Sequence, residues 1–289
     1  MRIIITIKIL SIINIMENIL INVDSRFRNI DLYPNSGKFT LKLNQTIKDI
    51  LYIRLSSTEI PNLYYTFSQT KQNVSFTITI TGNDTIVNLE DGFYESMQLL
   101  NAISAQLPAT MTIVLNLVNG ITTISHTVAF RIDFTNTGNN KSLGHHLGFR
   151  RDVYNSILNA ETGRHELVSE SLFDAIGDNY LFLRINDYGK MYNFNKSTSD
   201  YNETLDNYLG KIILSVGKAE KNFDNNNFIT KKHIFRQPTN ISKLDIELIE
   251  PTGNVINTHS VDYSFTLELG VIYDRELYKK SLNNLHFTD

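Results

Sequence analysis

The sequence predicts an all-β, mainly antiparallel fold: a jelly-roll-like β-sandwich with one inserted amphipathic helix and long loops. Three observations point there. Period-two alternation runs through most of the chain, turn residues separate the alternating segments, and only one internal stretch has helical spacing.

The elements follow in order. In KFTLKLN, Phe39, Leu41 and Leu43 share one parity; in LYIRLSSTEIPN, Leu51, Ile53 and Leu55 do. Two strands with one buried face are expected. VSFTITIT and TIVNL continue the pattern. MTIVLNLV and ITTIS flank Asn119-Gly120, a pair suited to a two-residue type I′ hairpin turn. TVAFRIDF, NYLFLRIN, KIILSVG, KLDIELIE and VDYSFTLELGVIY read as later strands, the last with Val261, Tyr263, Phe265, Leu267, Leu269 and Val271 on one face. The exception is EDGFYESMQLLNAISAQLP. There Met97, Leu100, Ile103 and Leu107 recur at three- and four-residue steps, which predicts a helix over 95–107 capped by Asp91 or Ser96 and ended by Pro108. A shorter helix over RELYKKSLNNL is expected near the C-terminus.

The 289 residues suffice for one large β domain or two small ones. Residues 16–275 read as one sandwich, or as two divided near 150–175, with polar loop insertions at 187–208 and 218–240 and a tail at 276–289. The first fifteen residues, MRIIITIKILSIINI, read as an extension upstream of a start at Met16. The apolar run is too short to span a bilayer and no small-residue cleavage site follows, so a secretion signal is the weaker reading and no stable membrane insertion is expected.

Composition narrows the chemistry. The net charge is −3 and Lys and Arg are scattered, so direct nucleic-acid binding through phosphates is not expected. There is no cysteine, which excludes disulfides, thiol nucleophiles and Cys-based zinc sites. Seven Asn-x-Ser/Thr sites occur in an Asn-rich chain, several inside predicted strands where a glycan would be hard to place. Assembly in a reducing compartment fits these features.

No phosphate-cradling loop, nucleophile elbow or His-Glu-x-x-His is present. His145 and His146 are adjacent and, on a strand, would face opposite ways, which is poor geometry for a shared metal. Asp24 and Asp187 are the carboxylates a glycosidase reading would use, but any β protein offers such pairs. The expectation is therefore no catalytic residue, no metal, no cofactor and no enzyme.

Two groups of residues remain. Tyr188, Tyr192, Phe194, Tyr201 and Tyr208 lie in the polar insertion, where exposed aromatics suit protein contacts; satellite packing under a loop is the plainer account. The stretch NVDSRFRNIDLYPNSG holds Asp24, Arg26 and Arg28 beside a Tyr-Pro-Asn turn. It reads as a solvated charge patch or as a structural clamp in which arginine bridges carboxylate and backbone carbonyls.

These residues carry a resemblance. Asp24, Ser25, Arg26, Arg28 and Asn29, then Tyr33, Pro34 and Asn35, then Ser57, Glu59, Ile60, Pro61 and Asn62 form an ordered series. It resembles the N-terminal signature of minor capsid or virion-associated structural proteins of giant nucleocytoplasmic large DNA viruses. DGFYESMQLLNAISAQL, LGHHLGF, NYLFLRIND and DYSFTLEL resemble their later motifs, so the likeness touches most of 19–270. Phe27 departs from it, standing where that family usually has Asp.

The resemblance implies a non-enzymatic virion protein, assembled in the host cytoplasm, that contacts the major capsid protein or other capsid proteins in an icosahedral shell, with a homo-oligomer also compatible. It adds weight to Asp24, Arg26, Arg28, Glu59, Pro61 and Asn62 as clamp residues. The alternative is a virion-surface attachment module binding host glycan or receptor through loops 187–240.

Overall fold

The structure, a computed structural model, describes residues 16–136, 141–185, 194–195, 205–206, 208–224 and 232–286. The chain begins with β1 (Met16–Asp24), a short 3-10 turn (Ser25–Phe27) and β2 (Lys38–Pro61). It then forms β3 (Ser75–Ile80), β4 (Asn83–Asn88), α1 (Ser96–Ser104), β5 (Thr112–Leu115), β6 (Thr122–His126) and β7 (Phe130–Asp133). Next come α2 (Leu143–His146), β8 (Val153–Asn155), β9 (Ile157–Asn159) and β10 (Arg164–Val168). The last third holds β11 (Tyr180–Ile185), β12 (Phe194–Asn195), β13 (Leu205–Asp206), β14 (Tyr208–Ile213), β15 (Lys221–Asp224), β16 (Lys232–Ile249), β17 (Ser264–Ile272) and α3 (Arg275–His286).

The fold is all-β and antiparallel, as the alternation predicts. It divides into two units: residues 64–179 form one, inserted into the other, which comprises 1–63 and 180–289. The sequence left open one sandwich or two divided near 150–175; the chain crosses between the units at 63/64 and 179/180.

The inserted unit is a β-sandwich. Its two antiparallel sheets run β4-β3-β7-β8 and β5-β6-β10-β9. Phe76, Ile78, Ile132 and Phe134 from the first side share a core with Ile124 and Leu167 from the second. Helix α1 adds Leu99, Leu100 and Ile103. Its entry differs from the expected caps: Gln98 Oε1 accepts from the Glu95 N–H at 3.0 Å, and Met97 points outward. The Asn119-Gly120 hairpin is wider than a two-residue turn. Asn116 Oδ1 accepts from the Val118 and Asn119 N–H groups, and the Gly120 N–H closes on Asn116 O, so strand pairing stops at Leu115.

His145 and His146 lie in the helical turn α2, not on a strand. His146 is buried with Nδ1 2.8 Å from Asp174 O and its ring 4.8 Å from that of Phe67. Burial lowers its pKa, and burial with the charges of Arg150 and Lys141 pushes His145 down to about 4. Both imidazoles are thus neutral when folded and bind protons more readily when unfolded. Stability of this unit is expected to fall as pH drops from about 6.5 towards about 4, a window above most carboxylate titration. A lower urea midpoint at pH 5 than at pH 7 is the expected result; equal midpoints contradict it.

The outer unit is built on one sheet, ordered β1-β17-β2-β16-β11-β14 among the described residues, with β15 also beside β2. The sequence predicts two strands where β2 is a single one of 24 residues. It bends at Asp49, whose φ is 55° and whose N–H donates to Asn240 Oδ1 at 3.0 Å. Two bulges against β17 skip Leu51 and Ser56 in the register. Each bulge shifts the inward parity by one, so the buried residues run Ile50, then Ile53 and Leu55, then Thr58 and Ile60. Leu51, expected inward, is half-buried, and Glu59 faces out.

The described residues of the two polar stretches expected as loop insertions include strands. Within 218–240, β15 and the start of β16 are strands, because both find β2 as a partner. Within 187–208, β12 pairs with β13, and Tyr208 opens β14. The tail at 276–289 carries most of α3, whose first turn is capped by Asp274 Oδ1 accepting from the Leu277 N–H at 2.9 Å.

Candidate functional site

The motif residues gather where β1 ends and β17 begins. Pairing of Asp24 with Ser264 brings Ser25 beside Tyr263. The Ser25 N–H donates to Tyr263 O at 3.0 Å, the Tyr263 N–H donates to Ser25 Oγ at 2.9 Å, and Ser25 Oγ donates to Asp262 Oδ1 at 2.8 Å.

Arg28 sits at the centre of this junction. It is buried, and its Nη1 donates to Asp262 Oδ1 at 2.5 Å and to Ser25 O at 2.8 Å. Its Nε donates to Tyr33 O at 3.0 Å and its Nη2 reaches Pro34 O at 3.4 Å. One planar fork thus joins the first strand, the Tyr-Pro-Asn turn and the approach to the last strand, which a lysine could not do. The turn is held separately. Asn35 Nδ2 donates to Ile256 O at 2.9 Å, its Oδ1 accepts from the Gly37 N–H at 2.9 Å, and Ser36 Oγ bonds to Thr258 Oγ1 and Val261 O.

Arg26 behaves differently. It is exposed and chelates only its neighbour Asp24, Nη2 lying 2.5 Å from Oδ2 and Nε 2.9 Å. That hydrogen-bonded guanidinium holds the Asp24 carboxyl below its ordinary range. Glu59 faces outward and pairs with Lys221 at 2.9 Å, which lowers its pKa likewise. Asp24, Arg26, Glu59, Lys221, Asp262 and Ser264 line a shallow depression of about 160 Å³. Asp24 and Glu59 are held ionised there, the reverse of what a general acid needs.

Asn62 makes a second junction. It is buried, and its N–H donates to Glu220 O at 2.8 Å, its Nδ2 donates to Val216 O at 3.0 Å, and its Oδ1 accepts from Lys218 Nζ at 3.2 Å. Pro61 ends β2 opposite Lys221. It has no N–H to give, and β2 stops there.

The structure thus brings Asp24, Arg26, Arg28 and Glu59 into one neighbourhood and places Asn62 at the loop after β14. Sequence reading missed Ser36, Lys221 and Asp262 as members, and singled out Ser25 and Asn35 only as motif residues, not as clamp residues. Asp262 lies 234 positions from Arg28, and only the β1–β17 register could have paired them. Of the expected contact aromatics, Tyr188, Tyr192 and Tyr201 lie outside the described residues, as does Asp187, and of Phe194 only the strand is described. Tyr208 is half-buried on β14, its ring centroid 4.5 Å from that of Phe182, because pairing with β11 places it over that strand.

The pinned loop leaves three large apolar side chains in solvent: Phe27 at 81%, Ile30 at 60% and Leu32 at 69% exposure. Asn29 stiffens it, its O accepting from the Tyr33 N–H at 2.8 Å and its Oδ1 from the Leu32 N–H at 3.1 Å. Among the described residues no cluster of three or more His, Asp or Glu could hold a metal, and no helix is long and apolar enough to cross a membrane.

No family model matches the chain, and no curated protein does. Solved structures do. One is the SeMet-labelled mavirus penton protein, at 10% identity and a TM-score of 0.43, over 88% of this chain and 99% of that one.

Proposed function

We propose that the chain is a non-enzymatic structural protein of a large DNA virus particle, a minor capsid or capsid-associated component. In this reading it contacts the major capsid protein or other capsid proteins in the icosahedral shell and assembles in the host cytoplasm. The observation that carries the reading is the loop Phe27–Leu32. Three exposed apolar side chains stand on a backbone that Arg28 and Asn29 hold in one shape. A rigid apolar knob lowers the ordering cost of docking, which is what a repeated shell contact needs. The motifs behind the family resemblance supply the pins: Asp24 to Asn29, Tyr33 to Asn35 and Glu59 to Asn62 serve chain junctions in place of a reacting centre.

The test separates docking from folding. Replacing Phe27, Ile30 and Leu32 together with Ser removes only solvent-facing side chains, so the melting temperature should stay within about 2 °C. Incorporation into purified particles should fall at least tenfold by quantitative mass spectrometry. Normal incorporation of the triple variant contradicts the reading.

A further inference from the structure

Strand β1 is an edge. It pairs with β17 on one side and, among the described residues, with no strand on the other. Natural edges carry bulges, proline, inward charge or short length to prevent pairing with another chain. β1 has nine residues, an unbroken register and no proline, and its charges stand near its ends, at Glu17 and Asp24. Its apolar face is also incompletely covered. Ile19 and Ile21 are half-buried, whereas Leu269 and Leu267, directly opposite on β17, are fully buried. Leu20, on the other face, is 65% exposed.

The free edge has a defined set of backbone groups. The Ser25 N–H points to β17, donating to Tyr263 O. That role alternates along an antiparallel ladder. The odd-numbered residues of β1 therefore serve β17, and Met16, Asn18, Leu20, Asn22 and Asp24 turn their N–H and C=O outward.

The segment Asn18-Ile19-Leu20-Ile21-Asn22 reads identically in both directions. Two antiparallel copies centred on Leu20 set Leu20 against Leu20, Ile19 against Ile21 and Asn18 against Asn22. Glu17 then faces Val23 and Asp24 faces Met16, so no like charges oppose each other. Every outward-turned backbone group meets an outward-turned group. We propose that β1 pairs with β1 of a second copy of this chain about a two-fold axis at Leu20, making one sheet across an isologous interface. This goes beyond the capsid reading and does not rest on it.

The chain has no cysteine, so one introduced thiol is a clean probe of register. Directly opposed residues in a hydrogen-bonded pair lie about 5.5 Å apart at Cα, within disulfide reach. In the full-length protein, Leu20→Cys should give a disulfide-linked dimer on mild oxidation. Asn18→Cys should not, because its two copies are offset by about 13 Å along the strands. Asn18→Cys combined with Asn22→Cys should link. Leu20→Lys, at an exposed position, should keep the circular dichroism spectrum and shift sedimentation from dimer to monomer at the same protein concentration. A monomeric wild type, equal cross-linking of the Leu20 and Asn18 variants, or a dimer that survives Leu20→Lys would each overturn the proposal. Absence of the Leu20 cross-link, as when another segment or protein covers the edge, would do so too.

Discussion

Arg28→Ala is expected to destabilise the outer unit by about 2 kcal/mol, the range for buried acceptors that lose a charged donor, because Arg28 is buried while Asp262 is exposed enough to regain water. The size follows from what is left behind. Asp262 loses its cation, and Tyr33 O, Pro34 O and Ser25 O lose donors they cannot all replace with water, since Arg28 occupies a buried position. Arg28→Lys should recover little, because an ammonium cannot reach both the carboxylate and the carbonyls of the turn. Arg26→Ala, by contrast, should leave the urea midpoint unchanged, since Arg26 is exposed and bonds only Asp24, its near neighbour. Equilibrium urea unfolding of the three variants checks the ordering. Equal effects at positions 26 and 28 would mean that the junction at Asp262 does not hold the chain ends together.

Gly148→Ala is expected to cost about 4 kcal/mol in the inserted unit, from backbone strain and overpacking acting together. Gly148 has φ +95°, a conformation closed to alanine without strain, and an added Cβ would overlap the carbonyl oxygen of Ser171 and sit 2.9 Å from Ser169 Oγ. The oxygen is backbone and cannot swing aside. It also accepts from Ser169 Oγ at 2.9 Å, and the Ser171 N–H donates to Gly148 O at 3.0 Å, so the two segments are tied. With an m-value of about 1–3 kcal/mol per molar urea, the midpoint should drop by more than about 1 M. Gly163→Ala is the matched control. It also has positive φ, at +66°, but nothing lies near its Cβ position, so the strain alone remains and the loss should be clearly smaller. Similar losses at both would show that the close approach to Ser171 is unimportant.

Much of this architecture is legible in the alternation. Phe39, Ile53, Leu55, Phe265, Leu267 and Leu269 are buried as their parity requires, and Leu100 and Ile103 are buried on the one helix expected inside the chain. The failures have local causes. Parity misplaced Leu51 because a bulge inserts one residue into β2, and a sequence shows alternation without showing where a partner strand skips. The polar stretch 218–240 concealed two strands whose order comes from pairing with β2, a tertiary effect that period alone does not carry. At the candidate site, Arg28 and Asn62 could be singled out by residue type. Their partners Asp262 and Val216 are more than 150 positions away and are found only once the register is known. Arg26 and Arg28 look equivalent in sequence, yet the 3-10 turn between them sends one outward and the other under the turn at Tyr33.

The central claim is that this chain is a packaged building piece whose surfaces dock to neighbours. If the proposed function holds, a virus encodes the chain, and cross-linking mass spectrometry on purified particles of that virus is the most direct measurement. The expected result is recovery of the chain from those particles, with cross-links to capsid proteins from a lysine introduced at Asp31, which is exposed in the same loop and leaves the three apolar side chains in place. Particles that lack the chain, or that contain it with no capsid protein within reach of that loop, would contradict the account.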